Sequence, residues 1–168
     1  MSPLRAALLL VLSAALAGCG FHLRGATVLP EAMTRTELRG AAVDGPLSVE
    51  VAQVLRNAGG AVVGPGEGAT AVLHVANERV HRRVASVNAA GNASEYELRY
   101  VLTAALNAPD GEILAPQQTV TVVRTYNYDT SNVLGASNEE ELLLVEMRRQ
   151  AVRQLLRQIN RQAQTAAP

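Results

Sequence analysis

Few residue types in this chain could carry chemistry, and their spacing excludes most of it. Cysteine occurs once, at Cys19, so no disulfide and no thiolate ligand set can form, and the single thiol is a nucleophile or a point of covalent attachment. The three histidines are His22, His74 and His81. His74 and His81 are an odd number of residues apart on one predicted strand and are expected to face opposite ways, and no His/Cys/carboxylate group has metal-ligand spacing, so no metal or other cofactor is expected. All 15 basic residues are arginine, which excludes Schiff-base lysines, Walker-type phosphate loops and Ser/Lys dyads. There is no G-x-S-x-G nucleophile elbow. Glu95 and Glu97 share a strand face two residues apart, where alternation predicts solvated carboxylates, not an acid/base pair. What remains is cationic: Arg79, Arg82 and Arg83 lie close together, and Arg149, Arg153, Arg157 and Arg161 recur every four residues as a stripe on one helix face. That stripe reads either as a solvated face or as a contact for an anionic partner.

Cys19 takes its meaning from what precedes it. Arg5 is a minimal positive n-region, and Ala6 to Ala15 is an apolar run too short for a membrane-spanning helix of roughly 20 residues. The run ends in Leu16-Ala17-Gly18-Cys19, which resembles the lipobox of bacterial lipoproteins. The resemblance implies that residues 1–18 are a signal peptide cleaved before Cys19, and that the Cys19 thiol carries a diacylglycerol while its new amino group is acylated. Several acyl chains on one residue hold a protein stably at a bilayer, where one chain would not. Gly20 follows the cysteine where inner-membrane retention would call for Asp, so the implied destination is the outer membrane, its inner leaflet holding the anchor.

The rest of the chain must then build one domain around a packed core. With 48% hydrophobic residues and 15 basic against 15 acidic side chains, it is neither disordered nor strongly charged, and a nucleic-acid partner is not expected. Residues 19–33 read as a tether leading away from the lipid, residues 34–162 as the domain, and 163–168 as a disordered tail. A first strand is predicted over Thr34–Arg39. A helix follows, with Gly45 or Asp44 as cap, Pro46 at its first position, Leu47, Val51, Val54, Leu55 and Ala58 at helical spacing, and Gly59-Gly60 as its stop. Gly-rich 61–68 reads as a loop containing at most a short strand. Residues 69–84 are predicted as a long strand paired to Tyr96–Asn107, where every second residue is apolar, and "APDG" at 108–111 turns the chain into a strand over Ile113–Tyr126 with an edge or bulge at Pro116. Ser137 three residues before Glu140 reads as a capping box opening a helix from Asn138 to about Arg161, with Leu144, Met147, Ala151, Val152, Leu155 and Ile159 as its apolar stripe. The order β-α-β-β-β-α gives an α+β fold, a two-layer α/β sandwich with a sheet of about four strands packed by two helices.

Several stretches resemble one family. "CGFHLRG" after the lipobox, "GPL" at 45–47, "SEYEL" at 94–98 and "EM" with "RQAVRQLLRQI" through Ile159 are similar, in order and spacing, to the LptE family of LPS-assembly lipoproteins. The resemblance implies a two-layer sandwich that is not an enzyme. It implies a partner, the outer-membrane β-barrel LptD, which such proteins help to assemble and plug from inside, and a role in lipopolysaccharide transfer to the cell surface. Family basic residues associated with lipopolysaccharide lie near the loop between the central strands and before the last helix. Here the corresponding "NAAGNAS" and "LGASNE" have no positive charge, and the nearest substitutes are Arg82 and Arg83. Alternation groups Arg83 with Arg79 and His81 on the polar side of the strand, and Arg82 with Val80 and Val84, so Arg79 and Arg83 are the leading lipid contacts and Arg82 the weaker one. Two other classes stay open: a lipoprotein that tethers or scaffolds a different envelope protein, and a lipoprotein enzyme, which would need a cleft with convergent polar groups.

Cys19→Ser tests the anchor directly. The variant should accumulate as misprocessed precursor and lose labelling by a palmitate analogue; equal labelling of variant and wild type would refute lipidation at this residue.

Overall fold

The computed structural model describes residues 29–40, 44–129 and 132–166. Cys19, His22 and the signal peptide lie outside them. A 3-10 turn, Glu31–Thr34, leads into β1 (Arg35–Gly40), α1 (Pro46–Asn57), β2 (Ala61–Val63), β3 (Ala71–Val87), β4 (Ala93–Asn107), β5 (Ile113–Asn127) and α2 (Val133–Ala166). The sheet order is β2-β1-β3-β4-β5. β1 is parallel to both its neighbours, and β3, β4 and β5 form an antiparallel meander. The two-layer α/β architecture is as expected, with five strands in place of four: Ala61–Val63 pairs along β1 as an outer parallel strand, short because it needs only three residues to return the chain from α1.

Both helices pack on one face of the sheet. Leu47, Val51, Val54 and Leu55 of α1 and Met147, Ala151, Val152, Leu155, Leu156 and Ile159 of α2 meet Leu38, Leu73, Val75, Leu98, Tyr100, Leu102, Ala104, Leu106, Val120 and Val122. Helix α1 starts at Pro46 with Gly45 as its N-cap and ends where Gly59 adopts φ +86°, as the Pro and Gly signals predict. The tether boundary at 33 moves: Met33 is fully buried in the core and its carbonyl accepts from the Thr36 hydroxyl, so the chain joins the fold before β1. Pro116 lies in a bulge of the edge strand β5, where two residues pass opposite Ala105.

Helix α2 differs from expectation at both ends. It begins at Val133, capped by Asn132, whose side-chain Oδ1 accepts from Gly135 N–H at 3.1 Å. A Cβ at residue 135 would fall 2.5 Å from the Asn132 side chain, so glycine there makes room for the cap. Ser137 is therefore inside the first turns, its hydroxyl donating to the Val133 carbonyl, and the capping box does not form. At the other end the helix runs to Ala166 through residues expected to be a tail.

Burial along α2 sorts its leucines into two kinds. Leu155 is 2% exposed in the core and Leu142 is 68% exposed. Leu155→Ala should cost about 2–5 kcal/mol in denaturant unfolding, from lost burial plus a cavity. Leu142→Ala should stay within about 0.5 kcal/mol. Equal costs would contradict this packing.

Candidate functional site

The cationic cluster singled out from the sequence lies on the long β3–β4 hairpin, and one irregularity decides how it is displayed. The β3–β4 register runs from Val75↔Ala104 to Asn77↔Thr103, leaving Ala76 as an extra, unpaired residue. The bulge exchanges the two faces of β3. Before it, odd-numbered residues such as Leu73 and Val75 face the helices; after it, even-numbered ones do, because Glu78 pairs with Leu102 and Val80 with the buried Tyr100. His74 and His81 were expected to oppose each other. They instead share the open face, opposite Ala105 and Arg99 respectively, although well apart along the strand.

Beyond the bulge, Arg79, His81 and Arg83 are exposed on the open face, and Arg82 lies on the helix side with Val80 and Val84, as alternation predicts. Their guanidinium groups are committed to different degrees. Arg83 forms a two-pronged pair with Glu97, Nε to Oε1 at 2.8 Å and Nη2 to Oε2 at 2.7 Å. The hydrogen bond from Arg83 holds the Glu97 carboxyl below the usual carboxylate range, and Arg99 Nη2, 3.5 Å away, adds to it. Glu97 is thus an ion-paired carboxylate, more engaged than the solvated role alternation suggests. Glu95 accepts from the Ser86 hydroxyl at 2.9 Å. Arg79 has no ion pair among the described residues.

Arg82 belongs to a cluster joining the hairpin to α2. Its guanidinium lies 3.8 Å from the Tyr96 ring centroid, and its Nη1 is 3.5 Å from Glu140 of α2. Glu140 also accepts from the Tyr126 hydroxyl, and Tyr96 stacks on Tyr126 at 5.9 Å and meets Tyr128 edge-on at 5.0 Å. Burial, together with the bond to Glu140, pushes the Tyr126 phenol well above its ordinary range. One turn deeper, Tyr100 is fully buried and donates to Glu78 Oε1 at 2.5 Å, while Arg148 Nε reaches the same oxygen at 3.2 Å. Burial first, and the bond to Glu78 second, raise the Tyr100 phenol far beyond the usual range. Sequence reading did not single out Glu78, whose partners Tyr100 and Arg148 come from β4 and α2, distant in sequence.

The arginine stripe on α2 is divided. Arg149 bonds Glu50 of α1 at 3.3 and 3.4 Å, tying the two helices together. Arg157 and Arg161 are exposed and Arg153 is half-buried. Among the described residues no three His, Cys, Asp or Glu side chains could hold a metal ion, and no helix is long and apolar enough to cross a membrane. The hairpin displays the guanidinium groups of Arg79 and Arg83 on its open face, an arrangement suited to binding anions.

Comparison with known proteins places this fold. The LptE model, described as lipopolysaccharide-assembly, matches residues 30–159. The LPS-assembly lipoprotein LptE of Photorhabdus laumondii is 32% identical over 143 residues, spanning 85% of this chain and 78% of its own. Among solved structures, lipoprotein B of Nitrosomonas europaea superposes with a TM-score of 0.69 at 28% identity, covering 88% of this chain and 94% of that one. The rare lipoprotein B of Shewanella oneidensis gives 0.61 at 29% identity, covering 73% and 90%. The matched segment begins just before the buried Met33 and ends at Ile159, the last core residue of α2, so it contains the whole sheet and both helices that cover it. On this sequence match and this shared architecture, the chain belongs to the LptE family.

Proposed function

We propose that this protein is an outer-membrane lipopolysaccharide-assembly lipoprotein, anchored through acylated Cys19, that assembles with and plugs the LptD β-barrel and assists transfer of lipopolysaccharide to the cell surface. The observation that carries the reading is the family match over residues 30–159, the entire folded core. The role is one of binding and scaffolding, without catalysis. The open face of the sheet, polar along Thr103, Thr119, Thr121 and Arg99, is the surface offered to the barrel interior, and Thr103 and Thr119 already satisfy each other at 3.0 Å across β4 and β5.

Lipid phosphates are the natural ligands of the hairpin arginines. Lipopolysaccharide phosphates are ordinarily bridged by divalent cations, and a planar guanidinium can take a cation's place with two parallel hydrogen bonds. Arg79 leads because its charge is not drawn to a carboxylate on the protein; Arg83 would have to share itself between phosphate and Glu97, and Arg82 is held by Tyr96 and Glu140. This orders the three residues as Arg79, Arg83, Arg82.

Binding of purified lipopolysaccharide should weaken as salt rises. It should fall about tenfold or more in Arg79→Ala/Arg83→Ala, given about 1.5–3 kcal/mol for each charge-assisted hydrogen bond. Retained binding there with loss in Arg153→Ala/Arg157→Ala would move the lipid site to α2. For the protein partner, a photocrosslinker at Thr121 should capture a large membrane β-barrel in stoichiometric yield, whereas capture of soluble periplasmic proteins alone would favour a tether for another envelope protein.

A further inference from the structure

β3 is paired along its whole length on one side only. β1 accompanies it from Thr36↔Ala71 to Gly40↔Val75 and then leaves, so among the described residues nothing pairs with its outer side from Ala76 to Val87. Between the register shifts that bracket it, Asn77 to Val84 runs in unbroken pairing with β4. This leaves a regular row of unpaired N–H and C=O groups longer than an average strand of about 5–6 residues. Edges of this kind are commonly blunted by proline, bulges or charged side chains; Asn77–Val84 has no proline and no bulge, and its charges, Glu78, Arg79, Arg82 and Arg83, disfavour a like-charged edge more than an acidic one.

The side chains flanking that edge differ on its two faces. On the helix side Val80 and Val84 are 43% and 47% exposed, apolar surface left open to solvent. On the open face stand Arg79, His81 and Arg83. In segment 76–87 three arginines face one glutamate, which is held by Tyr100 and Arg148; Arg82 is paired with Glu140, Arg83 shares its charge with Glu97, and Arg79 carries the uncommitted charge. A second copy of this chain is a poor occupant, since pairing two such edges would set arginine rows against each other. The complementary occupant is an extended strand with acidic residues on one face and apolar residues on the other.

We propose that the outer edge of β3, from Asn77 to Val84, is a β-augmentation site for an extended acidic segment of a partner protein, with its acids beside Arg79 and Arg83 and its apolar side chains on Val80 and Val84. Backbone hydrogen bonds supply affinity, and the two unlike faces fix which way up the segment lies. The site rests on backbone pairing but shares Arg79 and Arg83 with the lipid role proposed above, and the peptide test reads it without lipid present.

The test uses the purified full-length lipoprotein and a fluorescent peptide of about eight alternating valine and glutamate residues, matched to the free edge. Binding is followed by anisotropy, and amide hydrogen exchange is read over residues 77–84. The peptide should bind and slow exchange along this stretch. Val80→Lys/Val84→Lys, at exposed positions that leave the β3–β4 ladder intact by circular dichroism, should weaken binding about tenfold or more, and so should Arg79→Glu. The same peptide N-methylated at every backbone amide, which blocks both of its edges, should not bind. Equal binding of the N-methylated peptide would reduce the contact to charge attraction and overturn the proposal. Absence of binding, or slow exchange in the protein alone at the alternate amides of 77–84 that point away from β4, which would mean that the edge is already covered, would overturn it as well.

Discussion

The close approach of Gly40 to Val75 is the constraint on which the rest of the sheet depends. A Cβ at residue 40 would lie 2.1 Å from the Val75 carbonyl oxygen, and the backbone there has φ +108°, so only glycine closes β1 against β3 in this way. At this point β1 departs for α1, and one residue later Ala76 bulges out of the β3–β4 ladder. The sheet therefore changes character over two residues. Below the step it is a mixed sheet; above it, a long antiparallel meander whose β3 meets α2 through the side chains of Glu78 and Arg82.

The bulge has its own consequence for how α2 is held. Because it exchanges the faces of β3, Glu78 and Arg82 come to the helix side, where otherwise Arg79 and His81 would sit. Glu78 then gathers Tyr100 and Arg148, and Arg82 gathers Tyr96 and Glu140. Two polar contacts along α2 fix its rotation over an apolar face that alone would tolerate sliding. Buried Tyr100 is a safe partner in this respect: kept neutral by burial and by its carboxylate, it donates one hydrogen bond and has no charge to desolvate.

Much of this was legible in the sequence. Pro46 and Gly59 mark α1 because their backbone preferences act locally, and the apolar alternation of Tyr96 to Leu106 identifies β4 because one of its faces is buried throughout. The start of α2 was misplaced because two capping signals competed: Ser137 with Glu140 fits the usual pattern, while the side chain that caps is Asn132, helped by a glycine at 135 whose value appears only once the turn is formed. A short strand was readable at Ala61–Val63, but three residues in a glycine-rich stretch do not say that they pair along β1 as a fifth strand. The grouping of Arg79 with Arg83 was correct because both lie on the same side of the bulge. His74 and His81 were misassigned because they straddle it, and bulges arise from register with a distant strand, which local sequence does not encode.

Helix α2 follows every strand of the sheet in the chain, and it supplies Met147, Ala151, Val152, Leu155, Leu156 and Ile159 to the lid over β4 and β5. A chain emerging N-terminus first therefore completes its meander while the apolar side of β4 still has no cover. Until the final thirty or so residues arrive, the half-made protein is an open sheet with sticky flanks, the kind of species that aggregates or is seized by chaperones and proteases. Truncation before α2 would consequently remove the cover of β4 and β5 and leave their apolar side open to water.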